Sequence, residues 1–510
     1  MAVTGYTIDA LDNFTREELP AVIHESLPEL DPIYNWIQTT SLGVQRDRIG
    51  RDWEVEHLYG TGVAGLIQHA DPRGPAMLDR AEYYQAQVLD STSGALAPFP
   101  NAVNAPHNTS LLRILSLHKS VGNFNIPLTW LQGEALGANQ LRQVTRTIAG
   151  VGQLRALTEA TSFFMASNNC LGQIETWTDD QGTTTAAAAV KVTITPGTGR
   201  IQFFRVGMMV DIVVDSAGTP QFGSATDGSD RRNYVTTYGY TPLIVADVDY
   251  LGGTITLSSI NNTDISSDGN YLAAAAAGDW IVLRDNVTAS REMRTWGLND
   301  WIASSGQILG GSATVGNRLN PGLDLDTQSQ FKSLVKAVNG PMTDEVMNQY
   351  IGKFIEAYQG ASLDTLLTTM GVQLEYIKQP SVYNNRMFFD RTGKALDYMG
   401  GWDIVGYSFG GKKFRWVVSN MCLNGNLYGL KMNGGNIKRY VPPAIGGSDA
   451  RIGSEVEFIA PLGGSNSIFM LARNSSGQVM DMLEAPFMEY VLIAPIDVRS
   501  VRLTGLSEAL

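Results

Sequence analysis

The chain has 510 residues, 44% hydrophobic and 17% charged, with 53 glycines. That length exceeds the roughly 250 to 300 residues at which a single hydrophobic core stops growing, and the composition is that of a globular, turn-rich chain. A disulfide-stapled mini-protein and a disordered polymer are therefore both excluded. Lys and Arg number 37 against 50 Asp and Glu, a net charge of -13 that argues against broad affinity for phosphate backbones.

Cys170 and Cys422 are the two cysteines, too few for a disulfide framework, so a reducing compartment is expected. The stretch Met1-Ala2-Val3-Thr4-Gly5-Tyr6 lacks the basic then apolar order of a secretory signal, and no segment approaches 18 uninterrupted apolar residues. Neither signal-directed export nor a helical membrane span is expected.

Residues 1–75 predict an extended arm, in which Ala21–Leu27 forms at most two helical turns before Pro28 and Pro32 interrupt it. Over 76–128 the pattern predicts a long hairpin, with strands near Glu82–Leu89 and Ser110–Leu117 flanking the proline-rich Gly94–Pro106. A two-stranded ribbon is marginal alone and needs a neighbour to lie on. Within 129–175 the stripe Leu141, Val144, Ile148, Val151, Leu154, Leu157 and Phe164 predicts a helix over Leu131–Met165, about 50 Å long, although Gly150 and Gly152 lower its propensity.

Residues 176–295 predict an all-β insertion. Val190, Val192 and Ile194 alternate with Lys191 and Thr193, and Met208–Val214, Leu243–Val248, Thr254–Leu257 and Trp280–Leu283 are further strands, which makes a small antiparallel barrel or sandwich. In 296–440, after a Gly- and Asn-rich linker over Gly306–Pro321, helices are predicted at Gln328–Val338 and Thr343–Tyr358, the second capped by Thr343. Phe414–Val418 predicts a strand, and Met421–Leu423 with Leu427–Leu430 a hairpin about Asn424-Gly425. Over 441–510, Val491–Ala494 and Val498–Leu503 add strands. The fold class is α+β with an inserted all-β domain.

No catalytic, cofactor-binding or metal-binding residue is expected. His24, His57, His69, His107 and His118 lack zinc-site spacing. Gly406-Tyr407-Ser408-Phe409-Gly410 has the form of a nucleophile elbow, but a strand follows where a helix should, and no histidine follows Ser408. Gly406 with Gly411-Lys412 approaches a phosphate loop, yet Lys413 stands where Ser or Thr would meet magnesium. Asp179-Asp180 and Asp324-Leu325-Asp326 fit no calcium loop and read as solvated carboxylates. Trp280, Trp296 and Trp301 form either a carbohydrate platform or, the favoured reading, packing where the insertion rejoins the body, and Arg284, Arg291 and Arg294 are too few to offset the acidic balance.

The order of parts, with the run Ala156-Leu157-Thr158-Glu159-Ala160-Thr161-Ser162-Phe163-Phe164, the strand Gly207-Met208-Met209-Val210-Asp211 and the stretch Phe414–Leu430, resembles the major capsid proteins of tailed bacteriophages, the Hong Kong 97 type of fold. The resemblance implies an N-terminal arm (1–75), an extended loop across an adjacent subunit (76–128), a spine helix of the peripheral domain (129–175), a β insertion that decorates the shell or braces neighbours (176–295), a mainly axial domain (296–440) and a return to the peripheral domain (441–510). It further implies pentamers and hexamers closing an icosahedral head that encloses double-stranded DNA without sequence-specific binding. The implied partners are copies of the chain itself and separate scaffolding and portal proteins, with a decoration protein as a further option and no membrane. The implied location is the virion capsid, assembled in host cytoplasm. Leu89, Leu96 and Phe99 serve either adhesion or local packing, and no lysine–asparagine pair is matched for covalent crosslinking. The alternatives are a tail or baseplate protein, which would form trimers or tubes, and a carbohydrate-active enzyme, which would need paired carboxylates in an aromatic-lined cleft.

Overall fold

The computed structural model describes residues 8–41, 52–58, 110–116, 118–127, 138–165, 170–179, 189–213, 215–216, 219–220, 243–259, 277–283, 297–308, 314–315, 318–319, 323–326, 329–358, 363–379, 407–409, 412–441, 456–458, 470–473 and 479–508. The first described element is helix α1 (Ile8–Leu30), 23 residues with Pro20 and Pro28 inside it, where the sequence predicts two turns at most. An interior proline forfeits a helical hydrogen bond at a cost of about 3 kcal/mol. Leu19, Ile23 and Leu27, spaced by four, are buried, and each such burial is worth about 1.5 to 3 kcal/mol, so packing outweighs the breakers.

A 3-10 turn (Pro32–Asn35) leads to strand β1 (Gln38–Ser41). Strand β2 (Asp52–Leu58) pairs antiparallel with β3 (Ser110–Ser116), so the ribbon is anchored by a segment expected in the arm. Its sequence, Asp52-Trp53-Glu54-Val55-Glu56-His57-Leu58, has the period-two alternation of a strand. The expected ribbon strand at 82–89 lies outside the described residues, as do Leu96 and Phe99. Strand β4 (His118–Pro127) follows, then helix α2 (Ala138–Phe164), 27 residues and about 40 Å long.

Among the described side chains of α2 the buried positions are Val144, Ile148, Gly152, Ala156, Glu159, Ala160, Thr161, Ser162, Phe163 and Phe164, whereas Leu154, expected in the stripe, is 56% exposed. Gly152 has a specific reason. A Cβ there would lie 2.5 Å from Val22 Cγ1, so the glycine lets α1 cross closely, whereas Gly150 has nothing within 4 Å. The hydroxyls of Thr158, Thr161 and Ser162 donate to the carbonyls of Leu154, Leu157 and Thr158 at 2.7 to 2.8 Å, which satisfies these polar groups within the helix itself.

The insertion comprises β5 (Cys170–Asp179), β6 (Ala189–Ile194), β7 (Met209–Val213), a two-residue pair β8 (Asp215–Ser216) with β9 (Thr219–Pro220), β10 (Leu243–Asp249), β11 (Thr254–Ser259) and β12 (Trp280–Leu283). Six of these close a barrel in the order β10-β11-β6-β5-β12-β7, with β7 returning to β10. The barrel begins at Cys170, ahead of the expected boundary at 176. Val190, Val192, Val210, Ile212, Leu257 and Ile281 are buried in its core. Trp280 joins Cys170, Val213 and Val282 in a small cluster on the opposite face of the same strands. Arg200 Nη1 donates to the Cys422 carbonyl at 2.8 Å and ties the barrel to the rest of the chain.

Beyond helix α3 (Leu298–Trp301) come two short pairs, β13 (Gln307–Ile308) with β16 (Leu323–Asp324) and β14 (Thr314–Val315) with β15 (Arg318–Leu319). The helix expected over 328–338 is instead a 3-10 turn (Ser329–Phe331) and strand β17 (Leu334–Gly340). The strand form prevails because a remote segment, residues 501–506, supplies a parallel ladder to it. Helix α4 (Asp344–Ala357) matches its prediction, with Thr343 Oγ1 accepting from Val346 N at 3.2 Å. Next come β18 (Thr365–Thr368), α5 (Met370–Ile377), β19 (Tyr407–Phe409), β20 (Lys412–Val418), β21 (Leu427–Leu430), β22 (Ile437–Val441), β23 (Val456–Phe458), β24 (Met470–Arg473), β25 (Val479–Pro495) and β26 (Val501–Leu506).

Two six-stranded sheets organise these strands. One runs β17-β26-β21-β18-β20-β19, and Met347, Ile351 and Phe354 of α4 share a core with its Leu366 and Leu503. Asn424-Gly425 is a turn, with Gly425 at φ 65°. Met421–Leu423 is not a strand, however, and the expected hairpin gives way to β21 pairing with β18 and β26. The second sheet is built on β25, which pairs with β4, β22, β23 and β24, while β1 adds parallel to β22. Consecutive strands β25 and β26 thus enter different sheets, so the last thirty-odd residues serve both.

Candidate assembly interface

Among the described residues, buried polar groups form a seam between α1, α2 and the sheets. Glu159 accepts two hydrogen bonds from Arg439, 2.7 Å from Nε and 2.8 Å from Nη2, and both side chains are buried. The bidentate geometry compensates two desolvated charges 280 residues apart in sequence. Asp31 caps the turn after α1 by accepting from Ile33 N at 2.9 Å and also accepts from Ser419 Oγ. Burial raises the Asp31 carboxyl to about 6, against which the two hydrogen bonds pull down. Burial first, then the negative charges of Glu159 and Asp31, push Tyr34 well above its ordinary value. Its ring meets Phe163 at 5.9 Å. Trp36 lies under the Arg415 guanidinium at 4.7 Å, so the N-terminal segment touches both sheets.

The ribbon is built differently. Seven register pairs, Asp52 with Ser116 through Leu58 with Ser110, join β2 and β3 over about 23 Å. The chain then passes into β4, which is held by ten register pairs with β25, from His118 with Val491 to Pro127 with Met482. Among the described residues no further strand pairs with β2 or β3.

The sequence-level candidates for chemistry are not brought together. Ser408 lies on β19, paired with Lys413 of β20, in a hairpin rather than at a strand-to-helix turn. His24 is exposed on α1, and His57 and His118 lie on β2 and β4. Asp326 accepts from Gly306 N at 3.1 Å and faces Lys332 at 3.8 Å. Asp179 and Asp324 lie on β5 and β16. Among the described residues no group of three or more His, Cys, Asp or Glu is placed to hold a metal ion. Trp280 belongs to the barrel cluster and Trp301 packs on Phe163 at 5.8 Å, so these two serve separate cores. Trp296, His69, His107, Asp180, Arg284, Arg291, Arg294, Gly406, Gly410 and Gly411 lie outside the described residues. Burial pushes the Cys422 thiol far up, which leaves it inert.

Sequence reasoning missed the seam. A glutamate within the apolar and hydroxyl-bearing run 156–164 was its one visible signal, because the partner at 439 is set by the fold. No described helix is long and apolar enough to cross a membrane.

The structure is remotely similar to capsid proteins. It matches the capsid asymmetric unit of cyanophage A-1(L) at 11% identity over 93% of this chain and 93% of that one, with a TM-score of 0.37. The capsid of a native GTA particle matches at 8% identity over 95% and 91%, TM-score 0.32. The procapsid of satellite phage P4 with its size determination protein matches at 8% over 95% and 98%, TM-score 0.32. No family model matches the chain, and no curated protein matches it.

Proposed function

We propose that the chain is a shell-forming structural subunit, a major capsid protein of the Hong Kong 97 type whose pentamers and hexamers close an icosahedral head around double-stranded DNA. The observation that carries this reading is the β2–β3 ribbon. Its strands are joined by residues 59–109, it pairs with no further described strand, and a two-stranded ribbon of this length is marginal in water by itself. A neighbouring subunit covering its edges resolves both problems, since arms and hairpins add contact area without enlarging the core. In this reading α2 is the spine against which α1 is locked, and the net charge of -13 suits a wall that surrounds DNA without gripping it. The partners are further copies of the chain, with separate scaffolding and portal proteins.

Electron microscopy of the full-length chain, expressed alone and with its candidate scaffold, tests the proposal. Closed shells or five- and six-membered rings are the expected result. Tubes or trimers would move the assignment to a tail or baseplate protein, and a monodisperse monomer in both preparations would overturn it.

A further inference from the structure

Three Asn-Gly pairs occur in the sequence, Asn339-Gly340, Asn424-Gly425 and Asn433-Gly434, and the fold treats them differently. Asparagine is chemically labile, and where glycine follows it no Cβ keeps the next backbone nitrogen away from the side-chain amide. Whether the two groups meet then depends on what else holds them.

Two of the pairs are held. Gly425 N donates to Glu508 Oε1 at 2.8 Å, and the Asn424 amide oxygen is buried. Gly340 is in register with Leu506 and its carbonyl accepts from Ser507 N at 3.0 Å. Asn339 Oδ1 lies over Gly505, 2.5 Å from where a Cβ would stand.

Asn433-Gly434 is different. Both residues are exposed in a turn where Gly434 takes φ 78°, and a Cβ on Gly434 would meet nothing within 4 Å. Among the described residues nothing accepts a hydrogen bond from Gly434 N. The Asp364 carboxylate fixes the preceding backbone, accepting from Met432 N at 2.9 Å and Asn433 N at 2.8 Å. The main chain is thus anchored while the Asn433 amide and the Gly434 nitrogen stay free to react, and two groups held in one short segment react far faster than separate molecules.

We infer that Asn433 is a site of spontaneous modification. Gly434 N attacks Asn433 Cγ, the new N–Cγ bond closes a succinimide ring, and the side-chain nitrogen leaves as ammonia with the proton that Gly434 N gives up. Water then opens the ring at either carbonyl. The products are aspartate or, with the main chain rerouted through the side chain, isoaspartate.

The position gives the change its consequence. Residues 431–436 carry the chain from β21 to β22, hence from one six-stranded sheet to the other, and residues 496–500 carry it back from β25 to β26. Asn436 ties the two crossings together, with Nδ2 donating to the Asp497 carbonyl at 3.1 Å and Oδ1 accepting from Asp497 N at 2.7 Å. A carboxylate at 433 sets a like charge beside Asp364, and isoaspartate adds a backbone carbon. Both are expected to loosen the joint between the sheets.

The test incubates the full-length chain at neutral and mildly alkaline pH and follows amide-to-carboxyl conversion in its proteolytic peptides by mass spectrometry. Conversion at Asn433 is expected to be at least about tenfold faster than at Asn339 or Asn424, faster at the higher pH, and divided between aspartate and isoaspartate. In guanidinium chloride the three rates should converge, since glycine follows each asparagine. Hydrogen exchange over 427–441 should rise in the aged chain and in Asn433→Asp. Equal rates in the folded chain, or an order that persists in denaturant, would overturn the selection of Asn433 by the fold, and unchanged exchange would overturn its effect on the joint. Neither outcome depends on whether the chain builds a shell.

Discussion

Residues 8–41 and the ribbon of 52–58 with 110–116 come from the same end of the chain, yet they meet opposite conditions. The first segment buries Leu19, Ile23, Leu27 and Ile33, caps its own turn with Asp31, and adds β1 to a sheet already in place. The second pairs strand to strand and, among the described residues, with no further strand. A segment completed within the chain contributes to the stability of the fold, whereas under the proposed function the ribbon contributes once a second copy covers it. Changes in the two regions should therefore separate cleanly into folding and assembly phenotypes.

The largest effect is expected from the ribbon. Deleting 90–108, within the connection between β2 and β3, should leave a soluble subunit with unchanged circular dichroism and abolish closed shells in electron micrographs. Normal shells from that deletion would erase the contrast. In the seam, Glu159→Gln leaves Arg439 buried without its countercharge and should cost about 3 to 5 kcal/mol in urea denaturation, while Glu159→Leu with Arg439→Met should recover much of that loss. A shell-assembly defect at full subunit stability would contradict the internal role of this pair.

The seam also has a pH signature. Asp31 moves from 3.8 to about 6 on folding because it is buried. Its carboxyl holds a proton more tightly in the folded chain, so its contribution is complete below about pH 3.8 and is lost as pH rises through 6. The difference amounts to about 3 kcal/mol between pH 4 and 7, and Asp31→Asn should flatten that part of the stability profile in denaturation measured across the range. The smallest effect is expected from Gly152→Val, which places carbon against Val22 at the helix crossing. A loss of about 1 to 3 kcal/mol and faster hydrogen exchange in α1, with exchange in the barrel unchanged, would mark the defect as local.

Legibility followed the range of the forces involved. The barrel strands could be read because alternation such as Val190, Val192 and Ile194 around Lys191 reports burial of one face wherever the partner strand comes from. Thr343 announced α4 because a cap acts within three residues. Asp52–Leu58 alternates clearly, yet the sequence places it in the arm because nothing local ties it to Ser110–Ser116, whereas the strand expected at 82–89 lies outside the described residues. Leu154 was placed in the stripe of α2 because spacing defines a face without saying which face meets α1.

From sequence alone follow the acidic balance, the α+β class, the strands of the insertion, the capped helix α4 and the turn at Asn424-Gly425. Each depends on composition or on groups a few residues apart. The tertiary structure decided the full length of α1 despite Pro20 and Pro28, the strand form of β17, the insertion of β18 between β20 and β21, and the union of Glu159 with Arg439. Local preferences amount to about 1 kcal/mol or less per ordinary residue, and the burial and pairing that remote segments bring to these sites exceed them.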